Sequence, residues 1–273
     1  MKGYVINLDR SVERLTLFRE RAARVGLNFE RFPAIDGKQL SDDVVDFWQQ
    51  RSRIWGPLLP TEVACFLSHR GVWQKIASGS DPWAMVVEDD VVFSPDAGEV
   101  LSSSDWFPQG SHVVKFETMG NRVELSARVY ARKDGYKLRR LKDDHIGAAG
   151  YILDRESAQF LVEWTRDRCE PADKLLFHPS QLSSAGYPIL QMTPALCMQD
   201  FHLLTKQELQ VATSSIGPIL NRRQGQPPRD RRMGSRLVRA LRRILRDVGR
   251  IGLRLSGISV FEKIRVPSYP PQR

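Results

Sequence analysis

The chain opens on a short apolar run, Tyr4-Val5-Ile6-Asn7-Leu8, which breaks into Asp9-Arg10-Ser11 and passes into alternating Arg/Glu and apolar positions as far as Val25-Gly26. A β-rich run feeding a 3.6-residue pattern predicts a strand, a loop and a helix capped by Ser11. Phe29 to Ile35 reads as a second strand, closed by the turn signal Asp36-Gly37. After Leu59-Pro60-Thr61, apolar residues at Val63, Phe66, Leu67, Val72, Trp73 and Ile76 keep helical spacing until Gly79-Ser80-Asp81-Pro82 stops them, and Glu62 is placed to cap the first turn. Trp83-Ala84-Met85-Val86-Val87 has the length and continuous apolar character of a buried strand, and it ends on three carboxylates. Val113 to Phe116, Ala149 to Leu153 and Ile189 to Met192 predict further strands, with a helix from Asp154 to Trp164 after the second of them. Strand and helix patterns alternating in this way predict an α/β fold, a mostly parallel central sheet flanked by helices, with ligands outside the carboxyl ends of the strands.

The last fifth of the chain has a different pattern. A Pro/Gly/Gln/Arg-rich stretch predicts a linker over 221–235, and beyond it Leu237, Leu241, Ile244, Leu245, Val248, Ile251 and Leu255 follow helical spacing among arginines. The expected organisation is a catalytic-sized domain over 1–220, the linker, and a basic amphipathic C-terminal segment over 236–273. The positive charge lies in this last fifth of the chain, because from residue 222 onward 15 Lys and Arg face only Asp230, Asp247 and Glu262, a balance of +12 against +9 for the whole chain. Residues 1–221 are therefore mildly acidic. A basic amphipathic helix suits an anionic membrane surface, with packing on the protein body as the plainer reading. Nucleic acid is disfavoured, since the tail interleaves only Phe261 and Tyr269 as aromatics. The three cysteines, Cys65, Cys169 and Cys197, are too widely spaced for a disulfide framework or a metal-ligand motif and fit a reducing compartment. No signal peptide opens the chain and no run reaches about 20 apolar residues, so the expected location is cytoplasmic, peripheral on the cytoplasmic face of the inner membrane.

The candidate chemistry centres on Glu88-Asp89-Asp90. Alternate side chains of an extended chain point the same way, so Glu88 and Asp90 converge while Asp89 points elsewhere. Two carboxylates held that close repel unless a cation lies between them, and hard oxygen ligands suit Mn²⁺ or Mg²⁺, ions that often keep phosphate oxygens as further ligands. A solvated turn is the plainer alternative. Asp200 and His202, following the strand near Met192, are candidates to complete the metal shell, with His202 the chosen one. Lys115 and Glu117 flank Phe116 and read either as acceptor-facing or as ordinary surface strand positions, which look the same in sequence. An acidic cluster at a strand end also serves nucleotidyltransferases and phosphohydrolases, and the basic tail would by itself suit a non-catalytic membrane adaptor.

Several short motifs, in order, resemble glycosyltransferase family 25, the lipooligosaccharide-biosynthesis galactosyltransferases that also include collagen-modifying enzymes. They are Val5 to Ser11 with Arg14, Pro33 to Gly37, Glu62 to His69 with Trp73, Val86 to Phe93, Gly147 to Leu153, and Pro171-Ala172-Asp173. Together they span about residues 1 to 205, and the sequence departs from the usual pattern at Thr61 and Ala148. The resemblance implies a GT-A-type nucleotide-diphosphosugar fold, a uridine-diphosphate sugar donor, most simply UDP-galactose, a divalent metal, inversion at the anomeric carbon, and a glycolipid or oligosaccharide acceptor. It assigns Glu88 and Asp90 to the metal, Asn7, Asp9, Arg10, Asp36 and Asp89 to the donor side, and Ser68 or His69 to facing the donor. Inversion needs a carboxylate that takes the acceptor proton. Asp173 is the first choice, and a helix N-cap is its competing role.

Overall fold

The computed structural model describes residues 1–203 and 257–267. In chain order the elements are β1 (Lys2–Asn7), α1 (Val12–Arg24), β2 (Glu30–Pro33), α2 (Asp42–Gln49), α3 (Pro60–Ser78), β3 (Trp83–Glu88), β4 (Val91–Phe93), α4 (Ala97–Leu101), β5 (Val113–Lys115), β6 (Arg122–Lys133), β7 (Tyr136–Leu141), β8 (Gly150–Asp154), α5 (Arg155–Trp164), α6 (Ala172–Phe177), β9 (Ile189–Thr193), β10 (Cys197–Gln199) and β11 (Ser259–Lys263). Short 3-10 turns cover Leu182–Ala185 and Asp200–Leu203.

Nine strands form one sheet in the order β11-β6-β7-β9-β5-β8-β3-β1-β2, and β4 pairs with β10 in a separate two-stranded ribbon. The α/β architecture expected from the pattern is present, with helices flanking a central sheet. Pairing is parallel at β2-β1-β3 and at β9-β5. It is antiparallel at β3-β8, β8-β5, β9-β7, β7-β6 and β6-β11. The βαβ rhythm thus governs the N-terminal half. The antiparallel half begins where β8 enters between β3 and β5.

The apolar run of β3 is continuous because both faces of the sheet are covered. Ala84 and Val86 join Tyr4, Ile6, Val63, Phe66, Val72, Trp73 and Ile76 on the α3 side. Met85 and Val87 join Val5, Leu15, Phe18 and Ala22 on the α1 side. The strand's period of two divides one hydrophobic word between two cores.

Local chemistry sets the helix ends. Pro60 occupies the first turn of α3, and Glu62 caps it as expected, its Oε2 accepting the Leu59 N–H at 2.9 Å. Asp154 caps α5 by accepting the Ser157 N–H at 2.8 Å. Ser11 stands at the N-cap of α1 but makes no side-chain capping bond. Its carbonyl instead receives the Asn7 side-chain amide at 3.0 Å, so the loop is held from the strand side.

Several elements lie outside the sequence-based expectations, among them the β6–β7 hairpin and β11. The β6–β7 hairpin turns on Asp134 and Gly135, both at positive φ (48° and 86°), the backbone an Asp-Gly hairpin turn requires. The β11 strand belongs to the stretch expected to be the basic C-terminal segment, yet it pairs with β6 and completes the sheet. The edge of β6 gives residues 259–263 a hydrogen-bonding partner that no charge pattern shows. The expected linker over 221–235 and the helix from Leu237 to Leu255 lie outside the described residues.

Candidate active site

The acidic triplet lies where β3 ends, beside the loop after β1. Glu88 and Asp90 share a partner while Asp89 turns to Asn7 and Arg14, but Asp89 and Asp90 form the turn after β3, so the turn and not the alternation of an extended strand sets this arrangement. Gln199 reaches both converging carboxylates through one amide nitrogen, 3.1 Å from Glu88 Oε2 and 3.2 Å from each Asp90 oxygen. The antiparallel ribbon places it there by setting Gln199 opposite Val91. Burial, and then the adjacent Glu88 charge, push the Asp90 carboxyl up to about 7. Both side chains keep an open face, 25% exposed for Glu88 and 20% for Asp90.

Asp89 is buried, accepts the Asn7 amide at 2.6 Å and pairs with Arg14. Its pKa is raised, first by burial, with the Arg14 charge opposing that shift. Arg14 also lies 3.2 Å from Asp90 Oδ2, so one guanidinium from α1 serves two of the three acids. Asn7 is a hub, since its Oδ1 and carbonyl accept from Arg31 at 2.9 and 3.1 Å. Arg31 in turn pairs with Asp9. Arg10 and Asp36 form an ion pair at 2.6 Å, which holds the Asp36 carboxyl below its ordinary range. Of the expected donor-side residues, Asn7 ends β1, Asp9 and Arg10 lie on the loop after it, Asp36 on the loop after β2 and Asp89 on the turn after β3, each tied by local pairing.

Ser68 and His69, on α3, have well-defined partners. The Ser68 hydroxyl donates to the Ala64 carbonyl at 2.7 Å and accepts the Ile35 N–H at 2.9 Å, fastening the Pro33-to-Gly37 loop to the helix. His69 is buried, with Nδ1 2.9 Å from the Tyr151 hydroxyl and Nε2 3.3 Å from Glu88 Oε1. The Tyr151 oxygen also accepts the Trp73 indole N–H at 2.8 Å.

Asp173 is not an N-cap. Pro171 holds that position, and Asp173 lies within the first turn of α6, nearly buried, accepting the Gly147 N–H at 3.1 Å. Nor are Lys115 and Glu117 surface residues. Both are fully buried and form an ion pair at 2.5 Å, the ammonium also donating to the Gly147 carbonyl and lying 4.1 Å from the Phe177 ring centroid. They are buried because the Gly147 loop and Phe177 of α6 cover this strand end. Glu117 feels the charges of Glu88 and Asp173, and burial raises its pKa despite Lys115. Gly147 has φ +89°, and a Cβ there would meet Glu117 Oε1 at 2.5 Å, so only glycine lets the loop approach this closely.

Of the late candidates, Asp200 turns its carboxylate to Arg21 at 3.0 Å and sends only its backbone N–H to the Asp90 carbonyl. That ion pair removes it from the acidic pair's ligands. His202 lies in the 3-10 turn Asp200–Leu203, with its side chain outside the described residues. Sequence reasoning missed Gln199, Tyr151 and a role for Arg14. Gln199 carries no signal, because its partners lie more than 100 residues away.

The donor set tests well for a hard divalent cation. Glu88 and Asp90 are partly buried carboxylates that converge on one amide nitrogen, and the Asp90 carboxyl is raised first by burial and then by the Glu88 charge, costs that a bound cation would offset. Among the described residues no helix is long and apolar enough to cross a membrane.

Residues 1–176 match the family described as glycosyltransferase family 25 (LPS biosynthesis protein). The chain is 28% identical over 262 residues to the lacto-N-neotetraose biosynthesis glycosyltransferase LgtB of Neisseria meningitidis serogroup B, covering 90% of this chain and 94% of that protein. It is 27% identical over 214 residues to the lipooligosaccharide biosynthesis protein lic2B of Haemophilus influenzae, covering 75% and 78%. A solved glycosyltransferase involved in glycosylation of the major capsid of PBCV-1 aligns at 9% identity with a TM-score of 0.39, over 72% of this chain and 91% of that one. With a family match over residues 1–176, most of the residues described, the chain belongs to glycosyltransferase family 25 and is a glycosyltransferase.

Proposed function

We propose that the protein is a metal-dependent, inverting galactosyltransferase that moves galactose from UDP-galactose onto a saccharide of lipopolysaccharide or lipooligosaccharide. The observation that carries the metal-dependent part is the convergence of Glu88 and Asp90 on the Gln199 amide. The acceptor class is supported by relatives named for lacto-N-neotetraose and lipooligosaccharide biosynthesis. Galactose and uridine diphosphate follow from the family resemblance.

In this reading Glu88 and Asp90 would hold Mn²⁺ or Mg²⁺, with His202 as the proposed third ligand. Bound there, the ion supplies positive charge for the diphosphate that leaves. Asn7, Asp9, Arg10 and Asp36 shape the donor side of the cleft. Ser68, His69 and Asp89 fix the loops and carboxylates that face it. Asp173 takes the proton of the acceptor hydroxyl as that oxygen forms its bond to the anomeric carbon. The bond from that carbon to the diphosphate breaks on the opposite face, so the configuration inverts. Gly147 and the buried Lys115–Glu117 pair hold Asp173 in place. The arginines of the C-terminal segment meet anionic headgroups at the cytoplasmic face of the inner membrane, where a lipid-linked acceptor would lie.

The test is turnover of a panel of nucleotide sugars with and without Mn²⁺, comparing wild type with Glu88→Gln and Asp90→Asn. One uridine-diphosphate sugar should turn over with metal, and each substitution should lower kcat/KM by at least about 100-fold while the melting temperature is unchanged. Undiminished transfer by both variants would remove the assignment. Sedimentation with phosphatidylglycerol vesicles tests the tail, and loss of binding on deleting residues 236–256 is the expected result.

A further inference from the structure

Glu88 faces a second group of potential ligands. The ligand atoms of Cys65, His69 and Glu88 all lie within 4.8 Å of one another. Cys65 and His69 are four residues apart on α3, which puts both on one face of the helix, and Cys65 is exposed to solvent. The His69 ring is oriented from behind. Trp73 Nε1 donates to the Tyr151 hydroxyl at 2.8 Å, and that hydroxyl engages Nδ1 at 2.9 Å, which leaves Nε2 directed at Glu88. A partner on the rear nitrogen is the support that metal-binding imidazoles use. The gap between Nε2 and Glu88 Oε1 is 3.3 Å, long for a charge-assisted hydrogen bond. It matches the edge of a tetrahedron built with roughly 2.0–2.2 Å metal–nitrogen and metal–oxygen bonds.

We propose that Cys65, His69 and Glu88 form a binding site for a thiophilic divalent cation of the zinc type, distinct in ligand chemistry from the oxygen pair Glu88 and Asp90. A thiolate, an imidazole and a carboxylate select Zn²⁺ over Mg²⁺ or Mn²⁺, and three protein ligands leave a fourth position for water. On binding, the Cys65 thiol loses its proton to solvent as the sulfur–metal bond forms. His69 takes the tautomer that keeps its proton on Nδ1, facing the Tyr151 oxygen, and gives the Nε2 lone pair to the metal. Glu88 belongs to both sets, so occupancy of this site takes a ligand from the hard ion, and Zn²⁺ inhibits transfer. That inhibition rests on the function proposed above; the site itself does not.

The experiment is a Co²⁺ titration of the full chain without nucleotide sugar, followed in the near ultraviolet. Wild type should develop thiolate-to-cobalt charge-transfer absorption that Zn²⁺ displaces. Cys65→Ser, which keeps the two buried cysteines, should lose it. Zn²⁺ affinity measured by competition should fall about tenfold or more in Cys65→Ser and by about 10 to 100-fold in Tyr151→Phe, which removes only the rear support. No thiolate absorption in wild type, or absorption unchanged by Cys65→Ser, would overturn the site. With UDP-galactose and Mn²⁺, Zn²⁺ should inhibit wild type and spare Cys65→Ser; equal inhibition of both would overturn the shared-ligand claim. If no sugar is transferred at all, the cobalt spectrum still decides the site while the proposed function fails.

Discussion

At the scale of single residues, the groups least visible in the sequence are the ones with the sharpest energetic consequences. Lys115 and Glu117 lie at 0% exposure, each the other's countercharge. Removing one partner leaves a buried charge uncompensated, so Lys115→Met should cost roughly 3–5 kcal/mol in chemical denaturation, while Lys115→Met with Glu117→Leu should recover most of that loss. A cost below about 1 kcal/mol for the single variant would show that the pair is not closed. His145 gives a pH signature. Burial, with the nearby Lys115 charge, lowers its pKa from 6.5 to about 3 while its Nδ1 is 2.8 Å from Gln191 Oε1. Between those values the unfolded chain binds a proton that the folded chain does not, so stability falls as the pH is lowered from 6.5 toward 3. Thermal melts at pH 7 and pH 4.5 should show a smaller drop for His145→Gln than for wild type. Of these residues only Lys115 and Glu117 drew notice in the sequence, and there they resembled surface positions.

At the scale of elements, the helix starts show how far a cap motif can be trusted. Asp154 and Ser11 are both good capping residues by type, yet only Asp154 makes the bond. Asp154→Ala should therefore lower stability by about 1 kcal/mol, and Ser11→Ala by no more than a few tenths, measured by the same denaturation experiment. The difference arises because the Asn7 side chain already occupies the Ser11 carbonyl and sets the loop's course. Strands β1, β2, β3, β5, β8 and β9 were legible because interior strands carry continuous or alternating apolar runs. The β6–β7 hairpin escaped notice because its outer half is charged, as in Arg128, Arg132 and Lys133, although the Asp134-Gly135 turn was a usable signal. The β4–β10 ribbon has three residues on each side and no pattern long enough to read.

At the scale of the whole molecule, β11 closes the sheet from the far end of the chain. Val260 packs on the core, Ile264 is buried within it, and Ser259 donates to Glu124 at 2.7 Å. A chain cut after residue 256 exposes the backbone edge of β6 and opens the core beneath it. Such a protein should melt several degrees lower and self-associate in size-exclusion chromatography, because an unpaired strand edge is a template for pairing. A monomeric truncation with an unchanged melting temperature would show that β11 contributes nothing. Charge composition pointed the other way, toward a separate basic arm, since a tally of arginines cannot register five residues that add a strand.

Taken by itself, the sequence determined the α/β class, the strand that ends on the acidic triplet, and the family, because these depend on local periodicity and on short ordered motifs. Only the tertiary structure decided which groups surround that triplet. Gln199 arrives through the ribbon, Arg14 from a neighbouring helix, Tyr151 behind His69, and Lys115 with Glu117 beneath Gly147. Such contacts join residues distant along the chain, and their chemistry depends on burial and separation, quantities that exist only once the chain has packed.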